Sequence, residues 1–109
     1  MKKLYVVKKK QDFDSIIKAG VFRKNESFII YCRNNNLKFD RFGISVGKKI
    51  GNAVERNYYK RRIRTIIDSY RKLYNNNKDY IIILRRGALI KSYNEIEKDF
   101  NKIMSKKGF

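Results

Sequence analysis

The residues best suited to chemistry in this chain are the cations between positions 56 and 64, and the chemistry they suit is the binding of a polyanion. At about 100° per residue, a helix would gather part of this segment into one polar stripe. This basic stripe consists of Arg56, Asn57, Lys60, Arg61 and Arg64. Arginine predominates, and a guanidinium can bind phosphate through two parallel hydrogen bonds. A merely solvated face would carry acidic partners four residues away, but only Asp68, after Arg64, is so placed. The pattern therefore favours phosphate binding over a solvated surface.

One long helix must position the basic stripe. Asn52 suits the N-cap and Glu55 completes a capping box, which predicts a helix over 53–74 that ends at three asparagines. Its apolar face is predicted to be buried through Tyr59, Ile63, Ile66, Ile67 and Tyr70. Lys48 and Lys49 precede the helix N-terminus, where free N–H groups and the helix dipole favour an anion. For either lysine alone, a solvated strand end is an equal alternative.

The other segments predict a single α+β domain over residues 1–109, with elements in the order αββαβα. Apolar spacing predicts a short helix over 8–19, capped by Gly20. Alternation predicts strands over 28–33 (or 21–33), 41–48 and 80–85, and Ser92 with Glu95 opens a last helix. We expect a two-layer α/β sandwich, with the two longer helices on one side of a small sheet. The short helix is predicted at the sheet edge or over the other face, and residues 106–109 are predicted to fray.

One predicted strand has a face made of small residues. Phe42, Ile44 and Val46 lie on one side, and Gly43, Ser45 and Gly47 lie on the other. The small face would let a backbone, a helix or a ligand approach closely. A second group, Phe13, Ile17, Ile29 and Tyr31, fits either a plain core or a groove for unpaired bases. Composition alone favours the core for that group.

The charge balance limits the classes of partner. Lysine and arginine total 28 against 10 acidic residues, a formal net charge of +18. Such a charge repels itself in the folded state and implies a polyanionic partner, either nucleic acid or an anionic membrane surface. No apolar run approaches the ~20 residues of a transmembrane helix, and no signal peptide is recognisable. We therefore expect a cytoplasmic protein.

Missing residue types limit the chemistry further. The chain has no histidine and a single cysteine, Cys32, which excludes a zinc finger and any Ser–His or Cys–His nucleophile. No glycine-rich phosphate loop is present. We expect Cys32 to be a small core residue, and a single cysteine agrees with a reducing compartment. We expect no catalytic side chain and no metal site in the protein itself.

The segment 42–64 resembles the bacterial ribonuclease P protein family. That family carries the motif Lys-Lys-x-Gly-x-Ala-Val-x-Arg-Asn-x-x-Lys-Arg-x-x-Arg, and the chain matches it from Lys48 to Arg64. Two flanking features are also similar to the family. They are Asp12-Phe13 with Lys18-Ala19-Gly20, and the stretch from Asp79 to Leu84.

The resemblance implies a fold shared with a ribosomal protein domain, in which the basic helix forms a left-handed crossover instead of the usual right-handed one. It also implies that the protein is the accessory subunit of a ribozyme that removes the 5′ leader of precursor tRNA. The RNA subunit and its bound Mg ions would carry out the hydrolysis. The protein alone is expected to be a monomer. The implied partners are ribonuclease P RNA and precursor tRNA. The expected RNA-binding residues are Lys48, Lys49, Asn52, Arg56, Asn57, Lys60, Arg61 and Arg64. The expected leader cleft, between the first helix and the sheet, contains Phe13, Ile17, Ile29, Tyr31 and Ser45.

Two sequence positions depart from the family pattern. Ile17 stands where relatives often carry an aromatic residue, so a flat apolar contact replaces base stacking there. Gly47 stands where some relatives carry serine, which removes a hydroxyl contact.

Two other functions fit parts of the sequence. A non-catalytic RNA-binding module of the ribosomal-protein type explains the charge and the fold equally well. A cleavage assay distinguishes such a module from a ribonuclease P subunit. A membrane-surface protein fits poorly, because the basic helix needs its apolar arc for the core and has none left to face lipid.

Overall fold

A computed structural model describes residues 1–106 and 109, which form a four-stranded mixed sheet with helices on both faces. The helices are α1 (Lys10–Lys18), α2 (Ala53–Arg71) and α3 (Tyr93–Met104). The strands are β1 (Phe22–Lys24), β2 (Phe28–Asn34), β3 (Arg41–Ser45) and β4 (Lys78–Leu84). The predicted α+β class is confirmed.

The strand order β1-β2-β4-β3 makes β4 a central strand. It pairs antiparallel with β2 and parallel with β3. The β3–α2–β4 segment is therefore a crossover between adjacent parallel strands, and it fixes α2 against the sheet. This topology explains why β4 is apolar at nearly every position.

The core divides into two clusters, one on each face of the sheet. The larger cluster packs α2 and α3 against residues such as Phe28, Phe42 and Tyr80, all fully buried. The smaller cluster contains Val7, Ile16 and Ile81. Ile16 belongs to α1, so the short helix lies over the second face and not at the edge.

Several predicted boundaries change in the structure. The predicted strand 21–33 is two strands of a hairpin, because the Asn25 side chain accepts hydrogen bonds from the N–H groups of Ser27 and Phe28 and turns the chain. The strand predicted over 41–48 ends at Ser45, and Lys48–Ile50 form a 3-10 turn. The helix predicted to residue 74 ends at Arg71.

Both predicted capping boxes and the predicted glycine cap are present. Gly20 follows α1 with φ = 78°, a left-handed conformation that favours glycine. The fraying predicted for the last residues is wrong at Phe109, which is buried and accepts a hydrogen bond from the Tyr80 hydroxyl at its main-chain oxygen. Residues 107 and 108 of that prediction lie outside the described residues.

Candidate nucleic-acid interface

The basic stripe lies along one side of α2, as the sequence predicts. Asn57, Arg61 and Arg64 are exposed, whereas Arg56 and Lys60 are partly buried. The opposite side of α2 is anchored by Ile63, Ile66, Ile67 and Tyr70, all buried, and by the partly buried Tyr59. Because the helix is fixed by that apolar face, the stripe is held in one orientation without using its own side chains for packing.

Within residues 1–106 and 109, the four cations of the basic stripe form no ion pair: Arg56, Lys60, Arg61 and Arg64. Asp68, the potential partner of Arg64, lies instead 3.6 Å from the N-terminal amine of Met1. The stripe therefore presents uncompensated charge, the arrangement expected of a phosphate-binding surface.

The start of α2 is occupied by its own capping box. The Asn52 Oδ1 atom accepts from the Glu55 N–H at 2.9 Å, and Glu55 Oε1 accepts from the Asn52 N–H at 3.1 Å. The capping box therefore satisfies the N–H groups of Asn52 and Glu55 at the start of the helix. Lys48 and Lys49 remain exposed in the 3-10 turn before the helix. The Nδ2 amide group of Asn52 is left to donate to an external acceptor.

The cleft lies on the other face of the sheet, where α1 covers only part of the surface. Gly43 marks the closest contact, because a Cβ atom built there would lie 2.6 Å from Phe13 Cζ and 2.8 Å from Ile81 Cδ1. The prediction that the small-residue face lets a helix approach closely is confirmed at this position. At Gly47 nothing lies within 4 Å, so the third small residue plays no such part.

Strand register arranges the cleft face in rows. Beside the covered row of Tyr31, Ile81 and Gly43 lies a second row, which we call the floor row: Lys24, Ile29, Ile83 and Ser45. Ile29, Ile83 and Ser45 are all partly buried, whereas Ile81 in the covered row is fully buried. The floor row therefore forms a partly open apolar strip beside α1.

Ile83 lies in the floor row, and sequence reasoning did not single it out. The β4 segment is apolar at almost every position, which predicts burial on both faces and hides the partly open side chain of Ile83. Its place follows only from the pairing of Ile29 and Ser45 with it across the sheet. The register of β2 with β4 is a long-range property that local spacing does not contain.

The aromatic residues predicted for the cleft lie around the covered row. Phe13 and Tyr31 are partly buried and pack against the smaller core cluster. The Tyr31 ring also lies 5.3 Å from the ring of Phe22, which is 48% exposed. Ile17, on α1, is partly buried. These side chains thus serve the core and line the surface beside it, so the two alternatives left open by the sequence are not exclusive.

A buried carboxylate closes the opposite end of the cleft face. Asp79 accepts hydrogen bonds from Arg41 at 2.7 and 2.8 Å, from Asn35 at 2.9 Å and from Arg33 at 3.3 Å. Arg33 also donates to the Ser15 hydroxyl on α1. Burial alone would raise the pKa of Asp79, but the hydrogen bonds from Arg41, Asn35 and Arg33 outweigh it and lower that pKa. The network ties β2, β3, β4 and α1 together at this end.

Burial raises the pKa of two further titratable groups, Cys32 and Asp40. Burial raises the pKa of the Cys32 thiol, which disfavours a reactive thiolate. Burial also raises the pKa of Asp40, whose carboxylate accepts from the N–H groups of Asn76 and Lys78. Across the described part of the chain, no group of three acidic, histidine or cysteine side chains could hold a metal ion.

None of the helices within the described residues has an apolar stretch long enough to cross a bilayer.

Known proteins share both the sequence and the fold. The family model described as Ribonuclease P matches residues 1–108. The chain is 43% identical over 97 residues to the ribonuclease P protein component of Streptococcus thermophilus, covering 88% of this chain and 86% of that protein. It is 40% identical to the ribonuclease P protein component of Streptococcus pyogenes serotype M5, covering 100% of this chain and 95% of that protein.

Solved structures of ribonuclease P proteins share the fold of this chain. The RNase P protein of Staphylococcus aureus superposes with a TM-score of 0.85 at 38% identity, covering 92% of each chain. The RNase P protein of Thermotoga maritima superposes with a TM-score of 0.83 at 26% identity, covering 94% of this chain and 97% of that one. With agreement in sequence along almost its whole length and in the arrangement of the sheet and helices, the chain belongs to the ribonuclease P protein family.

Proposed function

We propose that this chain is the protein subunit of ribonuclease P, which binds the catalytic RNA and the 5′ leader of precursor tRNA and assists removal of the leader. One observation carries the proposal beyond family membership. The basic stripe presents four cations that have no acidic partner among the described residues, on a helix whose other face is fixed in the core. The protein acts by position and charge, in the cytoplasm where precursor tRNA is made.

The basic stripe serves as the docking face for the catalytic RNA. Catalytic RNA and precursor tRNA are both polyanions, and cations between them reduce their mutual repulsion. Asn57 adds neutral hydrogen bonds within the same stripe. Lys48 and Lys49 extend the cationic surface past the start of α2.

The cleft holds the leader on the opposite face of the sheet. The floor row offers a partly open apolar strip, with Ser45 as a hydroxyl donor or acceptor at one end and the Lys24 position at the other. Unpaired bases lie flat on such apolar surfaces, and stacking on an aromatic ring such as Tyr31 adds to this. The two faces let one small protein contact both RNA molecules.

Magnesium ions in this proposal are bound mainly by the RNA subunit. The acids within residues 1–106 are dispersed, and the buried ones already accept hydrogen bonds from the protein. This donor set does not fit a resident Mg site, because Mg²⁺ requires several oxygen ligands in octahedral geometry. The protein's own contribution is the positioning of phosphates.

A reconstitution assay at low Mg tests the proposed function. A bacterial ribonuclease P RNA and a precursor tRNA are mixed with and without the protein, and the rate of 5′ processing is measured. We expect faster processing with the protein. No gain in processing, with RNA binding intact, would favour a ribosomal-type RNA-binding module instead.

The basic stripe is tested by salt titration of binding to the same RNA. We expect Arg61→Ala to reduce the slope of log affinity against log salt by roughly 0.7–0.9, the contribution of one phosphate contact. Lys98→Ala is the matched control, because it removes an exposed cation from α3, outside the stripe. Equal slopes for the two variants would remove Arg61 from the interface.

The cleft is tested by comparing precursor tRNA with mature tRNA. We expect Tyr31→Ala to weaken binding of the precursor more than binding of the mature tRNA, because only the precursor carries the leader. Tyr31→Phe keeps the ring and should retain the difference between the two substrates. Equal losses for both substrates in Tyr31→Ala would show that Tyr31 acts only in the core.

A further inference from the structure

The N-terminal segment, residues 1–8, lies along the free edge of β3. Val6 forms a parallel bridge with Phe42, and the Val7 N–H donates to the Phe42 carbonyl oxygen at 2.9 Å. On the other side, the Arg71 guanidinium of α2 stacks on Tyr5, 3.5 Å from the ring centroid. These contacts attach the segment to both β3 and α2, so it bridges the groove between them.

This arrangement borders a half-open pocket of about 450 Å³, which we call the edge pocket. Its apolar lining consists of Met1, Val6, Val7, Phe13, Phe42 and Ile44. Phe42 and Ile44 point to the face of the sheet that packs against α2, opposite to the floor row. The volume lies within the roughly 300–1,000 Å³ of ordinary ligand sites.

The polar lining of the edge pocket is entirely cationic. Four cationic side chains line it: Lys3, Lys8, Lys60 and Arg64. Among the described residues, no acidic side chain does so. In the described residues, none of these four side chains forms a hydrogen bond or an ion pair with the protein. Uncompensated cations around an apolar wall complement an anion that carries a flat apolar group, which is the chemistry of a nucleotide.

We propose that the edge pocket takes one unpaired nucleotide of the ribonuclease P RNA. The base lies against Val6 and Ile44, and the phosphate is held by Lys60 and Arg64. These two cations belong to the basic stripe, so the pocket continues the docking face of the catalytic RNA. The floor row, where the leader is proposed to bind, lies on the opposite face of the sheet, and Phe13 at the sheet edge borders both sites. The inference rests on the proposed function, because it assumes that α2 docks on this RNA.

Charge reversal at two neighbouring lysines tests the edge pocket. Lys8 lines it and Lys10 does not, although both side chains are exposed and near one another in the chain. We expect Lys8→Glu to weaken binding of a ribonuclease P RNA transcript, without tRNA, by about tenfold. Lys10→Glu changes the net charge equally and should weaken binding by about twofold, through long-range charge alone. Equal losses would overturn the inference.

A second pair of variants separates the pocket from general electrostatics. Val6→Glu places a carboxylate in the apolar wall, whereas Val6→Gln places a neutral group of the same shape there. We expect a several-fold loss of affinity for the transcript in Val6→Glu relative to Val6→Gln. Equal affinities of these two variants would overturn the inference, and thermal unfolding of both verifies that each is folded.

Crosslinking identifies the source of the nucleotide. A benzophenone amino acid in place of Val6 should crosslink to an unpaired position of the transcript when precursor tRNA is also present. Crosslinks to the leader of the precursor would overturn the assignment to the catalytic RNA. Failure of the wild-type protein to bind the transcript would refute the proposed function itself, whereas normal wild-type binding with unaltered variants would refute only the pocket.

Discussion

Adding one methyl group at Gly43 should push α1 away from the sheet. The new Cβ atom of Gly43→Ala would lie 2.6 Å from Phe13 Cζ and 2.8 Å from Ile81 Cδ1. Ordinary carbon contacts are about 3.5–4.0 Å, so one or both side chains must move by roughly 1 Å. Ile81 is fully buried, whereas Phe13 is only partly buried. We therefore expect Phe13, together with α1, to accommodate most of the movement.

The magnitude follows from two opposing effects. Overpacking a core contact costs about 1–3 kcal/mol, and replacing glycine by alanine within a strand gains about 0.5–1 kcal/mol. The free energy of unfolding should fall by about 1–2 kcal/mol. Movement of Phe13 also alters the cleft, so the affinity for precursor tRNA should fall roughly threefold or more, with mature tRNA unaffected.

Urea unfolding and precursor binding measure the two effects, with Gly47→Ala as the matched control. Nothing lies within 4 Å of a Cβ atom at Gly47, so this variant should be as stable as the wild type or slightly more stable. Adding Phe13→Leu to Gly43→Ala should recover part of the lost stability, because it removes the ring that clashes. Equal stability of the two alanine variants would refute the proposed contact between α1 and β3.

Four further predictions concern stability and reactivity. In a urea titration, Asp79→Asn should lower the free energy of unfolding by about 2–4 kcal/mol, because it leaves the cationic partners of a buried carboxylate unpaired. Asp68→Asn, in a more exposed ion pair, should lower it by under about 1 kcal/mol. Folding lowers the pKa of Asp79, so the stability that its carboxylate contributes is complete above the unfolded pKa of about 3.9 and is lost as the pH falls through the folded pKa. The free energy of unfolding of Asp79→Asn should therefore fall less steeply with pH in this acid range. The same dependence on pH in the wild type and the variant would contradict the network. Cys32, buried with its pKa raised, should react with a thiol reagent only after unfolding, and rapid labelling of the native protein would contradict its burial. Asn52→Ala should cost about 1 kcal/mol while Asn52→Asp keeps the cap, and equal melting temperatures for the two would show that the capping box contributes nothing.

Local rules predicted the helices and their starts well. The capping boxes at Asn52 and Ser92 and the apolar spacing of α2 are contained in short stretches of sequence, and the structure has each of them. The basic stripe follows from the same helical spacing. Alternation also separated the two faces of β2 and β3, which is why the close approach of α1 to Gly43 could be expected.

One feature that sequence reasoning missed is local: the separate strand β1 depends on the Asn25 turn. The others depend on long-range contacts, and the position of Ile83 in the floor row follows from the register of β4 with both neighbours. The edge pocket depends on Val6 pairing with Phe42, residues far apart in the chain. The capping box was predicted correctly, whereas anion binding at Lys48 and Lys49 beside it stays a prediction.

The placement of the acidic residues has a consequence for the lifetime of the unassembled protein. Asp40, Asp79 and Asp99 are buried in internal hydrogen bonds, and Glu55 and Glu95 cap helices, so five of the ten carboxylates are engaged within the protein while the formal net charge is +18. A ligand that binds only the folded state adds stability by mass action, about 2.7 kcal/mol at a hundredfold excess over its Kd. For the proposed subunit, the RNA partner is such a ligand. Protein made in excess of its RNA would unfold more often and be degraded first, which would keep the two components in balance.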